Sequence, residues 1–223
     1  TKCYDQEKSG FFSLRLSANK HFGHNVHMTH RTQEDGTADF IIKYWDIRFS
    51  NLCNLACRSC GTWFSSNWYE DHKKITGKPP DHAKIMRVGR SSNDIWEQML
   101  KQFDYVEQFY FAGGEPLLMD EHWYILEKLD KLGRHDVKIK YNTNMSKIEH
   151  LGKKALDYWR NWPRSHMSIE ASIDETGERA EYIRSGTVWP TVEKNIRTLV
   201  DAEVKVQPNT SIGAYNVMRL PEL

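Results

Sequence analysis

The chain has 223 residues, 39% of them hydrophobic and 27% charged, with a net charge of +1. That is an ordinary globular balance for one large domain or two small ones. Near-neutrality without any block of Lys and Arg gives no electrostatic reason to expect a nucleic-acid partner. No run approaches the roughly 18 apolar residues of a membrane helix and no secretory signal is visible, so no membrane partner is expected. Free cysteines clustered in such a chain fit a reducing, cytoplasmic compartment. The first residue is Thr1 rather than methionine, so N-terminal residues are expected to have been lost.

Residues 1–38 read as an N-terminal helical extension. Phe11, Phe12, Leu14 and Leu16 among charges predict a helix over Tyr4 to Lys20, with Gly10 its weak point. His21, His24, His27 and His30 follow at every third position. A period of three drifts around an α-helix, and Gly23 with Asn25 predicts irregular, solvated backbone rather than a metal site. Glu34-Asp35-Gly36 reads as a turn.

Asp39 to Ser50 alternates, with Ile41, Lys43, Trp45, Ile47 and Phe49 on one side and Tyr44, Asp46, Arg48 and Ser50 on the other, which predicts a first strand. Behind it comes FSNLCNLACRSCG, residues 49–61, with Cys53, Cys57 and Cys60 in one polar loop. Three thiolates at C-x3-C-x2-C can close on one metal centre, and thiolate is the ligand that iron-sulfur clusters and zinc select. A four-iron cluster held by three thiolates keeps one iron open for chemistry, whereas structural zinc takes a closed set of four. Taken alone, the loop also admits a zinc knuckle completed by Cys3 or a histidine, or a disulfide with one thiol left over. Trp63 to Lys74 looks helical, ITGKPPDHAK breaks the pattern, and a capping box of Ser91 and Asp94 opens a helix through Ile95, Trp96, Met99 and Leu100. The insertion between these helices reads as a lid or a partner surface.

A second strand, Tyr105 to Phe111, runs into AGGEPLL, where Gly113 and Gly114 let backbone approach a ligand, Glu115 offers a carboxylate, and Pro116 opens a helix over Leu117 to Leu132 closed by Gly133. The third strand is Val137 to Asn144. Ser146 and Glu149 then suggest a capping box for a helix through Ile148, Leu151, Leu156 and Trp159. The fourth strand sets Met167, Ile169, Ala171 and Ile173 against Ser168, Glu170, Ser172 and Asp174, with helical chain through Arg184 and again over Pro190 to Val200. Val204 to Thr210 is the fifth strand, and Leu220-Pro221 starts a further helix.

Strands separated by helices throughout predict βαβ units and a parallel sheet, with a half-exposed antiparallel sheet as the alternative. Buried parallel strands are usually apolar on both faces, yet four of these five keep a polar face. That face predicts a wet, ligand-holding interior, hence an open partial α/β barrel over residues 39–223.

The cysteine loop after strand one, GGEP after strand two, NTN ending strand three and SID ending strand four together resemble the radical S-adenosylmethionine (radical SAM) superfamily, from about Phe40 to Thr210. The resemblance implies an enzyme with a partial parallel (β/α) barrel, about five of its six βα units present and the last strand missing beyond Leu223. Cys53, Cys57 and Cys60 would ligate a 4Fe-4S cluster whose open iron is chelated by S-adenosylmethionine. Gly113, Gly114 and Glu115 match the motif receiving the methionine amino group. Asn142, Asn144, Ser172 and Asp174 stand where the ribose and methionine moiety are held, and Arg184 in EYIRSG would grip the carboxylate bidentately. Reductive cleavage would release a 5'-deoxyadenosyl radical that abstracts hydrogen from a peptide or small-metabolite substrate, with a flavodoxin- or ferredoxin-like donor supplying electrons. Lys138, Lys140, Glu170, Lys205 and Gln207 are the expected substrate contacts. The aromatic residue that many members place before the last cysteine is Ser59 here, so adenine packing is unassigned. Cys3, in KCYDQEKSGFFSLR, resembles the auxiliary-cluster stretch of Twitch or SPASM-type members. A non-catalytic zinc or iron-sulfur module and a nucleic-acid modifying member are the alternative readings.

Overall fold

The computed structural model describes residues 2–88 and 95–222. The chain falls into two compact units, Thr1–Ile41 and Ile42–Leu223.

In the first unit the single helix expected over Tyr4 to Lys20 is two, α1 Lys2–Lys8 and α2 Leu14–His21. Gly10 breaks it at φ +80°, in the left-handed region open to glycine, and Ser13 restarts it by accepting a hydrogen bond from Leu16 N at 3.2 Å. The histidine segment is a 3₁₀ helix, Gly23–Arg31, rather than irregular backbone. Three residues per turn put His24, His27 and His30 in line, which is the period that an α-helix could not match. The turn at Glu34-Asp35-Gly36 is present, with Gly36 at φ +87° and the Asp35 carboxylate accepting from Thr37 N.

The second unit runs β1 Tyr44–Ile47, β2 Ala56–Cys57, α3 Trp68–Thr76, α4 Ile95–Leu100, β3 Gln108–Phe111, α5 Asp120–Lys131, β4 Lys138–Thr143, β5 Glu149–His150, β6 Lys153–Lys154, α6 Ala155–Trp159, β7 Met167–Ser172, α7 Gly177–Ile183, β8 Arg184–Ser185, α8 Trp189–Asp201 and β9 Val206–Asn209. The main sheet has the order β1-β3-β4-β7-β9 and every pair in it is parallel, which excludes the antiparallel alternative. Its apolar face, including Phe109, Phe111, Ile139, Tyr141 and Ile169, packs against Trp123, Leu126 and Leu129 of α5, Trp159 of α6 and Val192 and Leu199 of α8. The other face keeps its polar side chains and joins them across strands. Lys140 pairs with Glu170 at 2.5 Å, Gln207 donates to Glu170 at 3.3 Å, and Ser172 and Asn209 both donate to Asn142 Oδ1 at 3.2 Å. This is the open, half-polar partial barrel that the alternation predicts. No helix among the described residues is long and apolar enough to cross a membrane.

Several local expectations are corrected. No helix is capped by Ser146 and Glu149. Leu151 at φ +48° and Gly152 at φ +79° instead turn a short hairpin, β5 to β6, and only Ala155–Trp159 is helical. Ser146 Oγ donates to Asn144 Oδ1 at 2.6 Å, so it is committed to the strand end before it. Helix α3 begins only at Trp68; before it Ser66 N is bonded back to Asn51 O, outside any helical pattern. Pro116 opens a 3₁₀ turn, Pro116–Leu118, before α5 begins at Asp120. Arg184 lies in β8, past the end of α7. The chain from Val217 to Glu222 is 3₁₀. The expected capping box at Ser91 and Asp94 lies outside the described residues.

Candidate cofactor site

The cysteine loop leaves β1 and is held from both sides. Asn51, 4% exposed, donates to Thr62 O and Lys84 O at 3.1 Å and accepts from Met86 N at 2.9 Å. Ser50 Oγ donates to Met86 O at 2.6 Å, and Val88 N donates to Phe49 O at 2.9 Å. The insertion after α3 is therefore tied down as a strap across the base of the loop. On the other side β2 pairs antiparallel with β8, setting Cys57 opposite Arg184. Inside the loop Cys60 N donates to Cys57 O at 3.0 Å, and Trp68 Nε1 to the same carbonyl at 2.8 Å.

The glycine turn after β3 packs directly under this loop. A Cβ on Gly114 would stand 2.2 Å from Leu52 O, and Gly113 adopts φ +116°. Only glycine permits that approach. Glu115 N donates to Leu52 O at 2.7 Å, and its fully buried carboxylate accepts from Leu117 N, Thr143 Oγ1 and Asn144 N. Burial pushes the Glu115 carboxyl up to about 7, against the pull of those three donors. The carboxylate fastens the ends of β3 and β4 together.

A cavity of about 210 Å³ opens at the C-terminal ends of the strands. Cys53, Cys57 and Cys60 border it together with Gly113, Gly114, Asn142, Asn144, Ser172 and Arg184. Two expected residues do not line it. Glu115 is buried in the strand-end network, and Asp174, 1% exposed, sits behind Arg184 with Oδ2 2.9 Å from Arg184 Nε. Arg48, Phe64 and Ser211 line the cavity without having been singled out from sequence. Arg48 belongs to the polar side of the first alternating strand, which was a legible signal; Phe64 and Ser211 carried none. Among the expected substrate contacts, Lys138 and Lys205 stand at the N-terminal ends of β4 and β9, away from this cavity. Lys205 lines a separate recess with Trp159 and Trp162.

The donor set suits a metal cluster. All four cysteines are free thiols, Cys3 half-buried in the first unit. Burial pushes the Cys53 thiol up to about 12 and raises those of Cys57 and Cys60, Arg184 pulling the last two back. Buried thiols of this kind become thiolates when a cation neutralises them.

The sequence profile of the Radical SAM superfamily matches residues 47–218. No curated protein matches the chain. Among solved structures, anSMEcpe with bound AdoMet superposes with a TM-score of 0.55 and 18% identity, covering 80% of this chain and 47% of that one. The complex of anSMEcpe with AdoMet and a Cp18Cys peptide gives 0.52 and 17%, over 80% and 45%. Streptococcus suis SuiB bound to precursor peptide SuiA gives 0.53 and 16%, over 92% and 40%. At such identities the likeness is one of fold, and this chain spans less than half the length of each neighbour. The family profile, however, covers most of the chain and starts at the strand carrying the cysteine loop: the chain belongs to the Radical SAM superfamily.

Proposed function

We propose that the chain is a radical SAM enzyme that holds a 4Fe-4S cluster on Cys53, Cys57 and Cys60, binds S-adenosylmethionine beside it, and acts on a peptide. The carrying observation is that residues from the four separate motifs border one cavity. When bound there, the cluster would supply the electron for reductive cleavage of S-adenosylmethionine and so the radical chemistry of hydrogen abstraction. In this reading the backbone at Gly113 and Gly114 receives the amino group, Asn142, Asn144 and Ser172 offer hydrogen bonds to the ribose and methionine, and Arg184 faces the carboxylate. Asp174 and Glu115 serve from behind by fixing Arg184 and the strand ends. Lys140, Glu170 and Gln207 remain candidate substrate contacts on the polar face.

The number of thiols supports a cluster over structural zinc: three cysteines border the cavity, whereas structural zinc takes a closed set of four ligands. A peptide substrate is supported by the neighbours seen with a Cp18Cys peptide and with precursor peptide SuiA. A low-potential flavodoxin- or ferredoxin-like donor completes the reading. Nothing beyond a free thiol supports an auxiliary cluster at Cys3.

The test is electron paramagnetic resonance of anaerobically reconstituted, reduced protein with and without S-adenosylmethionine. A cluster signal that changes on addition is expected; a cluster indifferent to the cofactor, or zinc in its place, defeats the proposal. Cys57→Ala is expected to abolish both cluster assembly and S-adenosylmethionine cleavage.

A further inference from the structure

Cys57 has a cationic neighbour. Arg184 Nη1 donates to Cys57 Sγ at 3.7 Å, a contact set up by the β2–β8 pairing of the two residues. Gly186, directly after β8, lies so near the loop that a Cβ there would stand 3.1 Å from Asn54 O. The guanidinium is held in place from behind. Its Nε lies 2.9 Å from Asp174 Oδ2, the two side chains being 12% and 1% exposed. Neither of those two atoms makes a hydrogen bond, so the contact is ionic. Asp174 is fixed in turn by Ser211 N, which donates to Oδ1 at 2.8 Å, and by Asn216 Nδ2, which donates to its carbonyl at 2.9 Å. A buried ion pair is a weak source of stability, so stability alone does not account for one placed against a thiol. The Cys53 sulfur, by contrast, accepts from neutral groups, Leu55 N and the Asn144 amide.

We infer that Arg184 is a charged hydrogen-bond donor to the Cys57 ligand that raises the reduction potential of the cluster, with Asp174 the positioning residue that keeps the guanidinium there. The inference rests on the cluster reading above. Reduction adds one electron and so one negative charge to the cluster, with its thiolate ligands unchanged. A guanidinium against a ligand sulfur stabilises that more negative form, and hydrogen bonds to the sulfurs and net charge are among the factors that set such potentials. Removing Arg184 also leaves the Asp174 carboxylate uncompensated nearby, which acts in the same direction.

The experiment is a dithionite redox titration of the reconstituted protein followed by electron paramagnetic resonance, without S-adenosylmethionine, so that any grip of Arg184 on the cofactor carboxylate does not enter. At the poise where the native cluster is half reduced, Arg184→Met is expected to lower the reduced-to-oxidised ratio about tenfold, a shift of about 59 mV for a one-electron couple. Arg184→Lys, which keeps the charge, shifts it less. Proton ENDOR of the reduced cluster is expected to show an exchangeable proton that Arg184→Met removes and Asp174→Asn weakens. An unchanged midpoint and an unchanged proton signal overturn the inference and leave the cluster reading standing. A native protein that assembles no cluster overturns both. If Arg184→Met assembles none, Arg184→Lys and Asp174→Asn carry the test: a lowered midpoint in the first and a weakened proton in the second support the inference, and native values for both overturn it.

Discussion

Glu115 and His122 are both fully buried, and burial moves their proton affinities in opposite directions. The Glu115 carboxyl is pushed up from 4.5 to about 7, and burial drives the His122 imidazole from 6.5 down to about 3, with smaller contributions in the same direction from the nearby His150 and Lys153. His122 Nε2 stands 2.8 Å from the Tyr141 hydroxyl. Between about pH 4.5 and 6.5 the native state therefore holds one proton on Glu115 and the unfolded state one on His122, so these two contributions to the pH dependence cancel. Single substitutions separate them. In cluster-free protein, His122→Gln is expected to leave a stability that falls as pH rises through this window, by about 1.4 kcal/mol per pH unit. Glu115→Gln is expected to leave one that rises by the same amount. Urea midpoints across the window check both signs; two parallel curves contradict the assignment.

At the scale of elements, the loop depends on chain that is remote in sequence. The strap over residues 84–88 is held in part through the buried Asn51 amide, which bonds Lys84 O, Met86 N and, beyond the strap, Thr62 O, three hydrogen bonds that no short motif announces. Asn51→Ala leaves backbone groups at Thr62, Lys84 and Met86 without that partner, at a cost of about 1–3 kcal/mol. Hydrogen exchange is expected to accelerate at Met86 and around the cysteine loop while the central strands keep their protection. Uniform protection in the variant would mean that the strap is held by other contacts. Two elements are misread from the sequence. The β2–β8 pair is only two residues deep on each side, too short for a periodic signal, yet it brings Arg184 to Cys57. The β5–β6 hairpin hides in a sequence that also fits a capped helix, and the left-handed turn at Leu151-Gly152 decides against the helix.

For the whole molecule, the parallel sheet is both scaffold and chamber wall, with one face packed on α5, α6 and α8 and the other polar. Strand β4 stands at its centre, and Ile139, 1% exposed, packs in the core. Ile139→Ala is expected to cost about 2–5 kcal/mol, by lost burial plus the cavity left behind. Because β4 also carries Asn142 and ends beside Asn144, cluster uptake is expected to weaken together with the urea midpoint. Full cluster retention after such a loss would separate the site from the fold. Both responses are measurable on one reconstituted sample.

What the sequence determined by itself was whatever repeats locally: the alternation of each strand, the helices between strands, the glycine turns and the three-cysteine spacing. Periodicity and spacing are properties of neighbouring residues, so the parallel sheet, its polar face and the cysteine loop could be read without coordinates. Only the tertiary structure decided which of the marked residues meet. It sent Glu115 and Asp174 behind the cavity, carried Lys138 and Lys205 to the far strand ends, and brought Phe64 and Ser211 to the cavity rim. The reason is physical: strand and helix lengths set the directions of side chains, but contacts between distant segments arise from close packing of the whole core, to which every element contributes.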